Sequence, residues 1–166
     1  MDIKRFEIGI AGSQNYKALK SFYNVWGEDL LRSGLFEELD DLGLSRLFDL
    51  KMTRIVAVHD RESGGMAGSA ILGVIQTLRP GWGEVNYVLT HPDYRKTEDR
   101  RGYGIGRAMM DFLHREARAL RLVKIRLISE PHRTSARSMY ESMGYRLSGG
   151  SDRHYEVKVA DLVIPD

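Results

Sequence analysis

Residues 84–106 read EVNYVLTHPDYRKTEDRRGYGIG, and the rest of the chain can be organised outward from them. Glu84 to Thr90 has the residue types of a buried strand, and His91-Pro92 ends it because proline cannot donate to a ladder. Gly102, Gly104 and Gly106 then lead into a helix expected to run from Gly104 to about Leu120, with Ile105, Met109, Phe112, Leu113 and Leu120 on its apolar face. Glycines let backbone amides come close to an anion, and the first turn of a helix adds unpaired N–H groups and a favourable dipole. Arg101 and Arg107 can add charge-assisted hydrogen bonds beside those amides. The segment Arg101-Gly102-Tyr103-Gly104-Ile105-Gly106 is therefore expected to hold a phosphate. Two familiar phosphate motifs do not fit it: the P-loop requires a lysine where Arg107 and Ala108 follow Gly106, and the dinucleotide fingerprint requires a small residue where Met109 stands.

Upstream, Ile3, Phe6, Ile8 and Ile10 predict an edge strand over residues 3–10. Tyr16, Leu19, Phe22, Tyr23, Trp26 and Leu30 recur at helical spacing, which predicts a helix from Gln14 to Arg32 capped by Ser13 and ended by Gly34. A second helix is expected over Phe36 to Leu50, bent near Gly43. Thr53 to His59 and Gly68 to Leu78 read as a hairpin joined by the turn Asp60 to Gly65, and Pro80-Gly81-Trp82-Gly83 as the turn into the central strand. Downstream come a strand over Val123 to Ser129, a helix over Arg133 to Met143 stopped at Gly144, and strands over Tyr145 to Ser148 and His154 to Val159. This order of elements predicts a mixed α/β fold, one domain over residues 1–166 around a single site.

Composition narrows the chemistry. A chain of 166 residues, 42% hydrophobic and 29% charged, has the make-up of a globular domain, and its apolar runs are too short for a membrane span. The charged start, Met1 to Phe6, lacks an apolar stretch with a cleavage site, so a cytoplasmic location is the expectation. There is no cysteine, which removes disulfides, thiolate metal sites and a cysteine nucleophile; no metal is expected. Net charge is only +2. Its distribution is uneven: Glu37, Glu38, Asp40, Asp41 and Asp49 lie early, whereas Arg95, Lys96, Arg100, Arg101 and Arg107 lie late. The late arginines lack the interleaved aromatics of a single-strand binder, so nucleic acid is not the expected partner.

Taken together, Arg101, Gly104 and Gly106 as RxxGxG, the preceding strand with HPDYR at 91–95, and PHRTSARSMYESMGY at 131–145 resemble the GNAT N-acetyltransferase superfamily. The resemblance spans about half of the chain with motifs in the family's order. It implies a largely antiparallel twisted sheet whose fourth and fifth strands splay apart, with acetyl-CoA as cosubstrate entering the gap. The backbone of Val88, Leu89 and Thr90 would pair with the pantetheine arm, the N–H near Val88 would face the thioester oxygen, and residues 101–107 would hold the pyrophosphate. Arg133 and Ser135, at the start of the later helix, would add coenzyme contacts. Arg133 stands where the family often has asparagine, and Asp93 to Arg100 lengthen a normally short gap, so Arg95 and Arg101 both qualify for the phosphate.

The resemblance also assigns roles. Tyr140 would protonate the departing thiolate and Glu84 would act as general base; a carboxylate with a reference pKa of about 4.3 suits that role when partly desolvated or working through water. His91 and His132 are alternative proton relays, although each also reads as a turn residue. The acceptor site would draw on Phe22, Tyr23, Trp26, His154 and Tyr155, with Glu37, Glu38, Asp40 and Asp41 as an acidic rim for an amine; the alternative is that these form the buried and solvated faces of a helix. The function implied is transfer of an acetyl group from acetyl-CoA to a primary amine of a small molecule or protein. A non-catalytic acetyl-CoA sensor is the alternative, and a homodimer is compatible with either.

Overall fold

The computed structural model describes residues 3–26, 52–76, 81–95 and 102–163. The predicted helix over 36–50, the end of the first helix beyond Trp26, and the acidic group Glu37, Glu38, Asp40, Asp41 and Asp49 lie outside them. Among the described residues, seven strands form one sheet in the order β1-β2-β3-β4-β5-β7-β6. They are β1 Phe6–Ile10, β2 Thr53–Asp60, β3 Met66–Ile75, β4 Trp82–Thr90, β5 Lys124–Ile128, β6 Arg146–Leu147 and β7 His154–Lys158. The helices of the described residues are α1 Tyr16–Trp26, α2 Ile105–Ala119 and α3 Thr134–Ser142. This is the mixed α/β architecture expected from the order of elements.

Several boundaries differ for local reasons. Residues 3–5 form a 3-10 turn, so β1 begins at Phe6. Ser13 is not a helix cap: it starts a 3-10 turn, and the side chain of Asn15 instead accepts the N–H of Gly12 at 3.1 Å. Asp60 belongs to β2 rather than to the turn and is fully buried. Trp82 and Gly83 belong to β4, not to the turn before it.

All neighbouring strands are antiparallel except β4 and β5, which are joined by the crossover through α2. α2 lies on one face over β2, β3 and β4, and its buried residues Ile105, Met109, Met110, Leu113, His114 and Ala117 follow the helical period. They meet Val56, Val58, Ala70, Leu72 and Val85 from the sheet, with Tyr140, Tyr145 and Tyr155 completing that layer. Gly68 allows the close approach, since a Cβ there would lie 2.9 Å from Ile105 Cγ2 and 3.1 Å from the Leu89 carbonyl. On the opposite face, Leu19, Phe22 and Tyr23 of α1 pack on Ile55, Ala57, Ile71 and Leu89.

One irregularity in β4 changes which way its side chains face. Against β3, Ser69 pairs with Leu89 and Ile71 with Asn86, so Tyr87 and Val88 together oppose Ala70. Tyr87 has φ 56°, unusual for a residue with a side chain. The bulge shifts the alternation: Val85 before it and Val88 after it both contact the α2 side, while Asn86 stands opposite Ile71 of the α1 side. Tyr23 of α1 supports the bulge from behind. Its hydroxyl donates towards Ser69 Oγ at 2.9 Å and the Tyr87 carbonyl at 3.1 Å, and Ser69 Oγ donates to the Val56 carbonyl at 2.9 Å. Tyr23→Phe is expected to cost about 1–3 kcal/mol, because it leaves buried acceptors short of a donor. Urea unfolding of the two proteins measures the difference, and equal midpoints would remove the hydroxyl from any supporting role.

His114 is the buried imidazole of the α2 layer. Its Nε2 lies 3.0 Å from the Tyr145 hydroxyl, and its Nδ1 has no hydrogen-bond partner. Burial, and then Arg107, Arg115 and Arg118, pull the imidazole down to about 4. Because the folded value is depressed, its stabilising contribution is complete above the unfolded value of about 6.5 and is lost as pH falls towards 4. Across that window this group should remove about 1.4 kcal/mol of stability per pH unit. Denaturant titrations between pH 7 and 4 should show this slope, and His114→Gln should flatten that part of the profile.

Candidate active site

The sheet opens between β4 and β5. Only Gly83, Glu84 and Val85 of β4 pair with β5, opposite Ile125, Arg126 and Leu127. From Asn86 onward the strands diverge, and a cavity of about 860 Å³ occupies the gap. Its walls are Val85 to Thr90 on one side and Leu127, Ile128 and Ser129 on the other. Gly102, Gly104 and the first turn of α2 border it at one end, and Arg133 to Ala136, Met139 and Tyr140 of the α3 region also line it. This volume falls within the range of small-molecule and cofactor sites. The splaying and the strands involved agree with the sequence-based expectation, and Val88, Leu89 and Thr90 lie in the wall.

The glycine segment meets the cavity through its backbone. Gly104 has φ 71°, a left-handed conformation that glycine tolerates without the strain a side chain would bring. The first intrahelical bond of α2 runs from Ala108 N–H to the Gly104 carbonyl at 3.0 Å. The N–H groups of Ile105, Gly106 and Arg107 precede that bond, so they form the donor end of the helix, and Ile105, Gly106 and Arg107 all line the cavity. Arg107 donates to Ser142 Oγ of α3, which ties the two helices at the cavity's edge. Lys96, Arg100 and Arg101 lie outside the described residues. Arg95 lines the cavity and its Nε donates to the Thr90 carbonyl at 2.6 Å. That carbonyl, expected to be open to a ligand, is thus engaged by a side chain.

Tyr140 lines the cavity from the buried face of α3. Its ring meets Tyr145 edge-on at 5.9 Å, and burial pushes its hydroxyl up to about 12 against the opposing pull of Arg133. Tyr140 therefore keeps its proton at neutral pH and is a donor facing a largely apolar cavity. Glu84 is separate from it: it is absent from the cavity wall and stands opposite Gly73 and Arg126 in the sheet, sharing a face with Asn86. Asn86 Nδ2 donates to Glu84 Oε1 at 3.4 Å. Arg126, opposite Glu84, stacks 4.8 Å over the ring of Trp82 and pairs with Glu156 at 3.4 Å.

Several residues assigned from sequence have other occupations. The Tyr103 side chain packs on Phe6 and Tyr94, and Tyr103 is not part of the cavity wall. Tyr23 is buried behind the β4 bulge rather than presented to an acceptor. Tyr155 is buried in the α2 layer, where its hydroxyl accepts from Arg137 Nε at 2.7 Å and donates to Glu141 at 2.8 Å. His154 is exposed, opposite Ile128, and is not in the wall. Phe22 is likewise core. Trp26 ends α1, and its side chain lies outside the described residues. His91 borders no reactive position; its Nδ1 accepts the Asp93 N–H at 3.2 Å, which caps the turn after β4. His132, Arg133 and Ser135 do line the cavity.

Some wall residues had no sequence signal. Tyr87 takes a positive φ without being glycine, so its bulge is invisible in a propensity reading. Leu127 to Glu130 follow from the direction of β5 beside the gap, which only the three-pair register reveals.

The fold is shared with many solved structures. Spermidine N-acetyltransferase from Vibrio cholerae, in complex with CoA and spermine, superimposes with a TM-score of 0.72 at 15% identity, covering 95% of this chain and 97% of that one. Ribosomal-protein-alanine N-acetyltransferase from Brucella melitensis biovar Abortus 2308 gives 0.67 at 18% identity over 88% and 95%. A predicted acetyltransferase with acetyl-CoA from Clostridium acetobutylicum gives 0.64 at 20% identity over 88% and 93%. At these identities the likeness is one of fold. No curated protein sequence matches. The sequence model of the acetyltransferase (GNAT) domain matches residues 52–147, from β2 to β6 and more than half of the sequence, and this chain belongs to that acetyltransferase family.

Proposed function

We propose that the protein transfers an acetyl group from acetyl-CoA to a primary amine by direct attack, without an acyl-enzyme. The observation that carries this reading is one cavity lined by the donor end of α2, by the part of β4 beyond its pairing with β5, and by Tyr140. It suits a ligand with an anionic end, an extended amide-bearing arm and a reactive far end. Strand addition to the backbone around Val88 would satisfy the arm's amides, as edge backbone does for peptides, with the Thr90 carbonyl left to Arg95. The donor groups of Ile105, Gly106 and Arg107, with Arg95 and Arg133 beside them, suit the pyrophosphate.

In the reaction, the amine nitrogen bonds to the thioester carbon and the carbon–sulfur bond breaks. The excess proton on nitrogen passes to Glu84 through water from the α1 side of β4, and the Tyr140 proton passes to the departing thiolate. The Val88 N–H polarises the carbonyl oxygen. The spermidine and ribosomal-protein-alanine enzymes of the same fold bear names that both denote amine acceptors, one small and one protein, which supports the amine class without choosing between them.

Tyr140→Phe is expected to lower kcat by about 10²-fold or more while the dissociation constant for CoA changes less than about threefold. Glu84→Gln should do the same, with the larger deficit at low pH where fewer acceptor amines are neutral. Stopped-flow thiol release and calorimetric CoA binding separate the two quantities; unchanged kcat in both variants would refute the assigned roles. An acceptor screen by thiol release, spanning polyamines, aminoglycoside-like amines and peptide N-termini, should yield at least one amine consumed with acetyl-CoA. Tight CoA binding with no thioester consumed across the screen would instead identify a sensor.

A further inference from the structure

Asp60 is a fully buried carboxylate that the proposed transfer does not use. It accepts from Arg5 Nε at 2.8 Å and Nη2 at 2.5 Å, from the Tyr94 hydroxyl at 2.8 Å, from Ser63 Oγ at 3.0 Å and from the Glu62 N–H at 3.0 Å. Such a charge is tolerated in the interior only when its acceptor capacity is filled. The hydrogen bonds from Arg5, acting first against burial, hold its carboxyl well below the usual carboxylate range. Arg5 is equally committed. Its guanidinium lies 5.7, 5.9 and 5.6 Å from the rings of Phe6, Tyr94 and Tyr103, and those three rings meet edge to face at 5.3 to 5.6 Å.

Two of these rings sit where the chain borders the phosphate-facing end of the cavity. Tyr94 closes the turn after β4, and Tyr103 lies between Gly102 and Gly104. The Tyr103 N–H donates to the Tyr94 carbonyl at 3.2 Å, drawing the two strands of chain into a neck. With the Tyr103 side chain held on the Arg5 side, the backbone of its two glycine neighbours is turned to the cavity that both of them line. Residues from β1, β2 and the turn after β2 thus surround this neck.

We infer that Arg5 and Asp60 are positioning residues for the coenzyme's pyrophosphate, holding the Tyr94–Tyr103 neck so that Gly102, Gly104 and the start of α2 present their amides to the phosphates. This rests on the proposed use of coenzyme A. The device acts on the phosphate-bearing part of the ligand and not on the thioester, so its signature is a difference between two acetyl donors. S-acetylpantetheine carries the same thioester and arm without the pyrophosphate.

Asp60→Asn and Arg5→Lys are the variants; the lysine keeps a cation for Asp60 but loses the planar fork and the ring stack. Each should lower kcat/KM for acetyl-CoA about tenfold through KM, the worth of roughly one charge-assisted hydrogen bond. Turnover of S-acetylpantetheine, measured by the same thiol-release assay, should stay within about twofold of wild type, so that the preference for the full coenzyme collapses. Circular dichroism and melting curves verify folding, and Arg5→Lys decides if Asp60→Asn does not fold. Parallel losses on both donors in a folded variant, or an unchanged KM for acetyl-CoA in both, would overturn the inference. If the wild type consumes neither donor, calorimetry with CoA and with pantetheine asks the same question: weaker CoA binding with unchanged pantetheine binding supports the neck while the transferase reading fails, and a wild type that binds no CoA overturns both.

Discussion

A backbone N–H or carbonyl without a partner is costly inside a protein, and a sheet normally removes the problem by pairing every strand with a neighbour. Here β4 and β5 pair over three residues and then part, leaving Asn86 to Thr90 with β3 on one side and a cavity on the other. Every other element of the site is arranged around that break. The bulge at Tyr87 turns β4 so that Val88 contacts the α2 layer; Tyr23, Ser69 and Val56 brace the bulge from the α1 side; α2 and α3 line the gap with a helix start and with Tyr140. The positive φ of Tyr87 is the kind of local strain that persists only when its surroundings determine it, and Tyr23 is among the groups that do so.

Charge is distributed unequally over the two sides of this break. The cavity side carries Arg95, Arg107 and Arg133 near the donor end of α2. The side of β4 away from α2 carries Glu84, opposite Arg126, with Glu156 paired to Arg126 on the next strand and Arg146 opposite Glu156 beyond it. The cavity side thus carries an excess of positive charge, whereas the charges named on the far side balance one another.

Much of this was legible in the sequence because it rests on local patterns. The period of Ile105, Met109 and Leu113 marked α2, the glycines marked its start, and the spacing from Tyr140 to Gly144 and Tyr145 fitted a short helix ending in a turn. What was not legible depends on contacts between distant residues. Tyr103 sits inside the glycine motif, yet its ring is claimed by Phe6 and Tyr94; Tyr155 was expected at the acceptor site, yet Arg137 and Glu141 hold its hydroxyl within the α2 layer. Asp60 read as turn chemistry because aspartate usually is, and the donors that make its burial tolerable include Arg5, fifty-five positions away, and Tyr94, thirty-four away. The bulge at Tyr87 escaped for the same reason, since a tyrosine carries no intrinsic preference for a positive φ.

A seam of three residue pairs is also a deficit of cohesion, because the half of the sheet formed by β5, β7 and β6 is bonded to the rest through fewer rungs than any full-length pairing would supply. A molecule that lies in the gap and touches both strands stands in for the missing rungs. Its binding free energy is then shared with the fold: the occupied protein resists opening by an amount that grows with the logarithm of ligand concentration over its dissociation constant. Affinity and cohesion across this seam are one quantity viewed from two directions, so the same opening that admits a ligand makes the integrity of the sheet depend on how much of that ligand surrounds it.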